Sequence, residues 1–148
     1  MKHLLLIRFS ALGDVAMLVP VVASLMKQYP DIHVTVLSKP FARSLFEGLS
    51  PNVSFMSADL KKDYHGLSGL NALYRRLAAK NFTAVADMHD VLRTKYLRLR
   101  FHLCGFYVAH IDKHRKGKQL LCSEKNKVKV QQPTSFENYA AVLAKLGY

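Results

Sequence analysis

Two segments of the 148-residue chain carry polar residues at points where an apolar run gives way to helical spacing. The first is Arg8-Phe9-Ser10-Ala11-Leu12-Gly13-Asp14. Its small residues, Ser10, Ala11 and Gly13, with Leu12 between them, would let a ligand approach backbone N–H groups at the start of a helix, where the helix dipole is positive. With one glycine the segment is not GxGxxG, and Asp14 places a negative charge where a dinucleotide's pyrophosphate would rest. A nicotinamide or flavin site is therefore disfavoured, and no cofactor is expected. Two readings of Asp14 stay open: a helix-start carboxylate that caps and favours the dipole, worth roughly 0.5 to 2 kcal/mol, or a general base that takes a proton from an attacking hydroxyl.

The second segment is Asp87-Met88-His89-Asp90-Val91-Leu92-Arg93-Thr94-Lys95. With Asp90 as the helix cap, Arg93 follows one turn later. A phosphate or carboxylate lodged there would meet His89, free N–H groups and Arg93 together, with Lys95 just beyond. Against this stands the plainer reading of His89 as a loop residue and Arg93 as a surface charge.

Something must hold these segments in place, and the periodicity of the chain supplies it. His3 to Arg8 opens with a continuous apolar run, the pattern of a strand covered on both faces in a parallel sheet. Val15, Leu18, Val19, Val22, Leu25, Met26 and Tyr29 then recur at helical spacing, with Pro20 bending the axis or marking the true first turn. Further strands are expected at 32–37, 53–56, 82–87 and 106–111. Helices are expected near 41–49, over Leu67 to Leu77, over Val91 to Leu103 with Gly105 closing it, and over Phe136 to Leu146 behind a Ser135 cap. Strands alternating with helices give an α/β class and a Rossmann-like, doubly wound parallel sheet, whose ligand crevice lies beyond the carboxyl ends of the strands.

Composition narrows the function classes. At 50% hydrophobic and 22% charged residues the chain reads as one globular domain over 1–148, without low-complexity tracts. The N-terminal apolar run is too short for a signal peptide or a membrane span, so a cytoplasmic protein is expected. Cys104 and Cys122 lack CxxC or metal-ligand spacing, and no metal site is expected. The net charge is +12, and half of the 22 Lys and Arg residues fall between positions 93 and 129. Such a field favours an anionic partner: nucleic acid, an acidic membrane surface, or a phosphorylated or carboxylated substrate. Tyr96, Phe101, Phe106 and Tyr107 interleave with these charges, but their spacing suits core packing better than base stacking.

A family resemblance adds to this reading. Ile7 to Val15, Val19-Pro20 and Tyr29-Pro30 before a strand resemble the N-terminal domain of glycosyltransferase family 9, the ADP-heptose:lipopolysaccharide heptosyltransferases. Phe82 to His89 with Leu92-Arg93, and Glu137-Asn138-Tyr139 through Tyr148, look like later segments of that domain, although His89 stands where many members carry Gln. The resemblance implies the N-terminal half of a GT-B architecture, two Rossmann-like domains facing each other across a cleft. It implies that this half receives an anionic glycolipid acceptor of the Kdo-lipid A type, and that ADP-heptose binds through a C-terminal donor domain expected beyond this chain. Asp14 would then be the catalytic base, and Ser10, Ala11, Leu12, Gly13, His89, Arg93 and Lys95 would bind the acceptor. Peripheral contact with the inner-membrane surface is expected and specific nucleic-acid binding is not; the 148 residues alone should not transfer sugar. The competing readings are a non-catalytic anion-binding α/β module for nucleic acid or an acidic membrane, and a sugar-nucleotide transferase with another acceptor.

Overall fold

Leu4, Leu5, Leu6 and Ile7 are fully buried, as a strand must be when helices cover both faces of its sheet. The structure is a computed structural model that describes residues 2–9, 12–58, 66–111 and 135–148, without the side chains of 135–137. Its strands are β1 (His3–Ile7), β2 (His33–Ser38), β3 (Val53–Ser57), β4 (Ala84–Asp87) and β5 (Tyr107–His110). They form one sheet in the order β3-β2-β1-β4-β5, every pair parallel. The helices are α1 (Leu12–Ala16), α2 (Leu18–Gln28), α3 (Arg43–Phe46) after a 3-10 turn at Pro40–Ala42, α4 (Gly66–Ala78), α5 (Leu92–Leu103) and α6 (Ser135–Lys145).

Alternation along β1 divides the core. Leu4 and Leu6 pack with α1, α2 and α6 through Val15, Leu18, Val22, Leu25, Tyr139 and Val142. Leu5 and Ile7 pack with α4 and α5 through Leu73, Leu77, Leu97 and Phe101. Each fully buried leucine of this kind contributes about 1.5–3 kcal/mol relative to exposure. The strand order reverses at β1, so the carboxyl ends of β1 and β4 flank the topological switch point, where open α/β sheets bind ligands.

The expected strands sit within two residues of those observed at each end, but two helical expectations and one strand position need correction. The single helix expected from Val15 begins three residues earlier and breaks at Met17 into α1 and α2. Pro20 thus occupies the first turn of α2, where its missing N–H removes no intrahelical bond. In α5 the periodicity of Val91, Leu92, Tyr96, Leu99 and Leu103 predicts the wrong buried face: Leu92, Leu99 and Leu103 are exposed, while Thr94, Leu97 and Phe101 face the core. Leucines fall on two sides of this helix, so spacing alone does not choose the buried one. Tyr107, expected in the core, is 79% exposed on β5. Gly105 closes α5 as expected, at φ 84°. The Ser135 cap and most of the basic stretch, from Lys113 to Lys129, lie outside the described side chains, as does Cys122.

At the amino end of the sheet, His3 Nε2 lies 2.7 Å from Thr35 Oγ1 and its ring packs 4.7 Å from that of His33. Desolvation, then the neighbouring His33, hold its pKa below the ordinary 6.5. The unfolded chain therefore binds a proton at this position more readily than the folded one. The stability so gained is full above pH 6.5 and declines as pH falls through that value toward the lower folded-state pKa. His3→Gln keeps a polar partner for Thr35 but does not titrate; its melting temperature should fall less steeply than that of the parent between pH 7 and 5, as followed by circular dichroism.

Candidate functional site

Arg8 is the residue around which the carboxyl end of the sheet is organised. It follows β1 directly, and its backbone N–H donates to Leu37 O at 3.1 Å. Nη1 donates to the carbonyl of Met88 at 2.8 Å, and Nη2 lies 3.0 Å from Asp14 Oδ2. One guanidinium thus joins the end of β1, the loop after β4 and the first turn of α1. Its five donors in a fixed fork suit such a junction better than a lysine would. The Arg8 side chain is 11% exposed and that of Asp14 is 43% exposed. Asp14 is therefore held by a nearly buried partner yet open to solvent, not turned inward. A carboxylate offers about four acceptor positions, so the bond to Arg8 leaves room for an incoming hydroxyl.

A second support comes from the far end of the chain. The hydroxyl of Tyr139, on α6, donates to the backbone carbonyl of Asp14 at 2.8 Å. Desolvation, opposed by Arg8 and assisted by Asp14, pushes the Tyr139 pKa up to about 12, so this hydroxyl remains a donor at physiological pH. Tyr139→Phe should cost about 1 kcal/mol, the net value of one such bond, read as a lower denaturation midpoint in urea with an unchanged slope.

The loop after β4 is built by Asp87. Its side chain is fully buried, Oδ1 accepts the N–H groups of His89 and Asp90 at 3.0 and 2.9 Å, and Oδ2 lies 3.2 Å from Arg98 Nη1. The same nitrogen contacts Asp90 Oδ1 at 3.1 Å. Asp90 takes the left-handed conformation at φ 51°, which an aspartate tolerates better than most residues. It is not the helix cap expected from sequence. Val91 holds that position, and the Thr94 hydroxyl accepts its N–H at 2.9 Å. Asp90 is instead committed to Arg98.

The expected site residues separate into groups. Leu12, Gly13 and Asp14 form the first turn of α1, with Leu12 and Gly13 exposed and open space where a Cβ on Gly13 would stand. Ser10 and Ala11 lie outside the described residues. His89 is buried beside this loop: its Nδ1 accepts the N–H of Phe9 at 3.3 Å, which puts the ring at the seam between the two segments. Arg93 is exposed at the start of α5. Lys95, two residues on, faces another side of the helix and lines a cavity against β5.

Sequence reasoning missed Arg8, Asp87, Arg98 and Tyr139 as the residues that position the others. It also missed a group of exposed apolar side chains. Leu12, Phe41, Leu67 and Leu92 are 59%, 45%, 62% and 84% exposed. They lie at or near the starts of α1, the 3-10 turn, α4 and α5, so all four stand at the carboxyl-end crest of the sheet. Among the described residues no cluster of His, Cys, Asp and Glu is arranged to hold a metal ion, and no helix is long and apolar enough to cross a membrane. Cys104 is exposed, and its Sγ accepts the Tyr74 hydroxyl at 2.9 Å.

No family model matches the chain. It is 30% identical over 98 residues to the lipopolysaccharide core heptosyltransferase OpsX of Haemophilus influenzae, covering 66% of this chain and 27% of that protein. The glycosyl transferase family 9 structure from Veillonella parvula matches with a TM-score of 0.70 at 22% identity, covering 99% of this chain and 42% of the other. The E. coli heptosyltransferase WaaC with ADP matches with a TM-score of 0.67 at 19% identity, covering 99% and 48%. In each case the match spans less than half the length of the relative. The chain is homologous to the heptosyltransferases of glycosyltransferase family 9, and its five-stranded parallel sheet corresponds to one half of their GT-B architecture.

Proposed function

We propose that this chain is the acceptor-binding, base-bearing half of an inverting heptosyltransferase acting on the lipopolysaccharide inner core. The observation that carries the proposal is the Asp14 carboxylate, exposed at the carboxyl end of β1 and fixed from behind by Arg8. In the reaction Asp14 takes the proton from an acceptor hydroxyl as its oxygen attacks the anomeric carbon of ADP-heptose; the bond from that carbon to the diphosphate breaks, and ADP leaves with the electron pair. Leu12, Gly13, His89 and Arg93 stand on the acceptor side, Ser10 and Ala11 are assigned to it by the family resemblance alone, and the donor is held by the other half through helix N-termini and basic side chains. The acceptor is a Kdo-lipid A type glycolipid, anionic and amphiphilic. The net charge of +12 supports its anionic part, and the apolar crest of Leu12, Phe41, Leu67 and Leu92 supports peripheral contact with the membrane that carries it.

Titration of the 148-residue chain with a Kdo-containing acceptor tests this reading. Saturable binding is expected, weakened by Arg93→Glu, without release of ADP when ADP-heptose is added to the chain alone. Binding to a generic oligonucleotide with steep salt dependence, and none to the Kdo acceptor, would overturn it in favour of an anion-binding module.

A further inference from the structure

A cavity of about 420 Å³ lies between α5 and the edge strand β5, lined by Lys95, Arg98, Leu99, His102, Val108 and His110. The helical residues recur at spacings of three and four, so they share one side of α5. Val108 and His110 are two apart and share one face of β5. Four of the six lining residues are cationic or can become so, and none is acidic. This is the α4 and α5 face of the sheet; Asp14, on α1, belongs to the opposite face.

Two of the cationic groups are held in place by hydrogen bonds. Arg98 is anchored through Nη1 to Asp87 and Asp90, so those carboxylates do not use the rest of its fork. His110 Nδ1 donates to the Ile111 carbonyl at 3.1 Å, which fixes that ring. Lys95 and His102 are exposed one helical turn to either side of Arg98. Leu99 and Val108 add an aliphatic wall. A guanidinium fork beside an ammonium and two imidazoles fits the tetrahedral oxygens of a phosphate monoester, and the aliphatic wall fits the carbon body that bears it.

We infer that the cavity between α5 and β5 is a second, separate anion site, which takes a phosphate monoester on a small organic body. The inference does not depend on Asp14 being a base. The test follows the histidine ring signals of the 148-residue chain by NMR during titration with glycerol 3-phosphate. The His102 and His110 signals should shift along one saturating curve while those of His3 and His33, at the amino ends of β1 and β2, stay in place. Lys95→Glu should weaken that curve by about tenfold, as expected for loss of a charge-assisted contact, and Lys95→Arg should restore most of it. His102→Gln serves as a second variant, with unmoved His3 and His33 signals reporting an intact fold. Shifts that are linear in concentration, common to all four histidines, or indifferent to Lys95→Glu would overturn the site. A second arm distinguishes the source of the phosphate through sedimentation with phosphatidylcholine vesicles with and without phosphatidate. Binding that requires phosphatidate and is lost in Lys95→Glu assigns the site to a lipid headgroup; saturable glycerol 3-phosphate binding without vesicle binding assigns it to a soluble compound; failure of both refutes the inference.

Discussion

If Asp14 is the base proposed above, Asp14→Asn in a two-domain heptosyltransferase that carries this half is expected to lower turnover by about 10²- to 10⁴-fold, the range removed with a general base. The asparagine keeps an oxygen acceptor for Arg8 and the same backbone carbonyl for Tyr139, so α1 stays seated. Acceptor affinity should therefore change little, and the loss should appear in kcat rather than in KM. Steady-state turnover of ADP-heptose with a Kdo-containing acceptor gives the first quantity, and acceptor titration in the absence of donor gives the second. Near-normal turnover would remove Asp14 from the reaction and leave it as the dipole-stabilising residue that its place in the first helical turn also permits.

The largest stability effect is expected at Arg98. Asp87 is fully buried, and Arg98 is its cationic partner. Arg98→Met leaves a buried carboxylate with only the two N–H groups of His89 and Asp90. The expected cost is about 3 kcal/mol, at the low end for removing one member of a buried pair, or about 10 °C in melting temperature for a chain of this size. Adding Asp87→Asn should recover much of the loss, because an amide needs no counter-charge and its oxygen can still accept both N–H groups. A double variant no more stable than the single one would show that the aliphatic contacts of Arg98, not its charge, hold the loop. Asp90→Asn should be mild by comparison, since asparagine also tolerates the left-handed backbone at φ 51°.

These residues show where sequence reading succeeded and where it ran out. The strand β1 was legible because it buries every position after His3, which forces a continuous apolar run. The break at Met17 was not, because Val15 and Leu18 continue one apolar stripe across it. Asp14 and His89 stood out because each lies just beyond a strand, the place where open sheets bind ligands. Arg8 and Asp87 did not, although both are in the same segments. Arg8 matters through a contact between segments 80 residues apart, with Met88, and Asp87 through Arg98, 11 residues on along α5; local pattern carries no record of such pairings. Tyr139 lies further still from its partner, and its helical spacing marked it only as a core residue.

The bond from Tyr139 to Asp14 also bears on protein engineering. Donor and acceptor specificities of paired-domain transferases invite chimeras, in which one half is grafted onto another. A crossover placed between β5 and α6 would leave α1 without the hydroxyl that steadies it. The graft boundary should lie after Tyr148, whose N–H bonds the carbonyl of Leu143 at 2.9 Å and whose ring packs 5.1 Å from that of Tyr29.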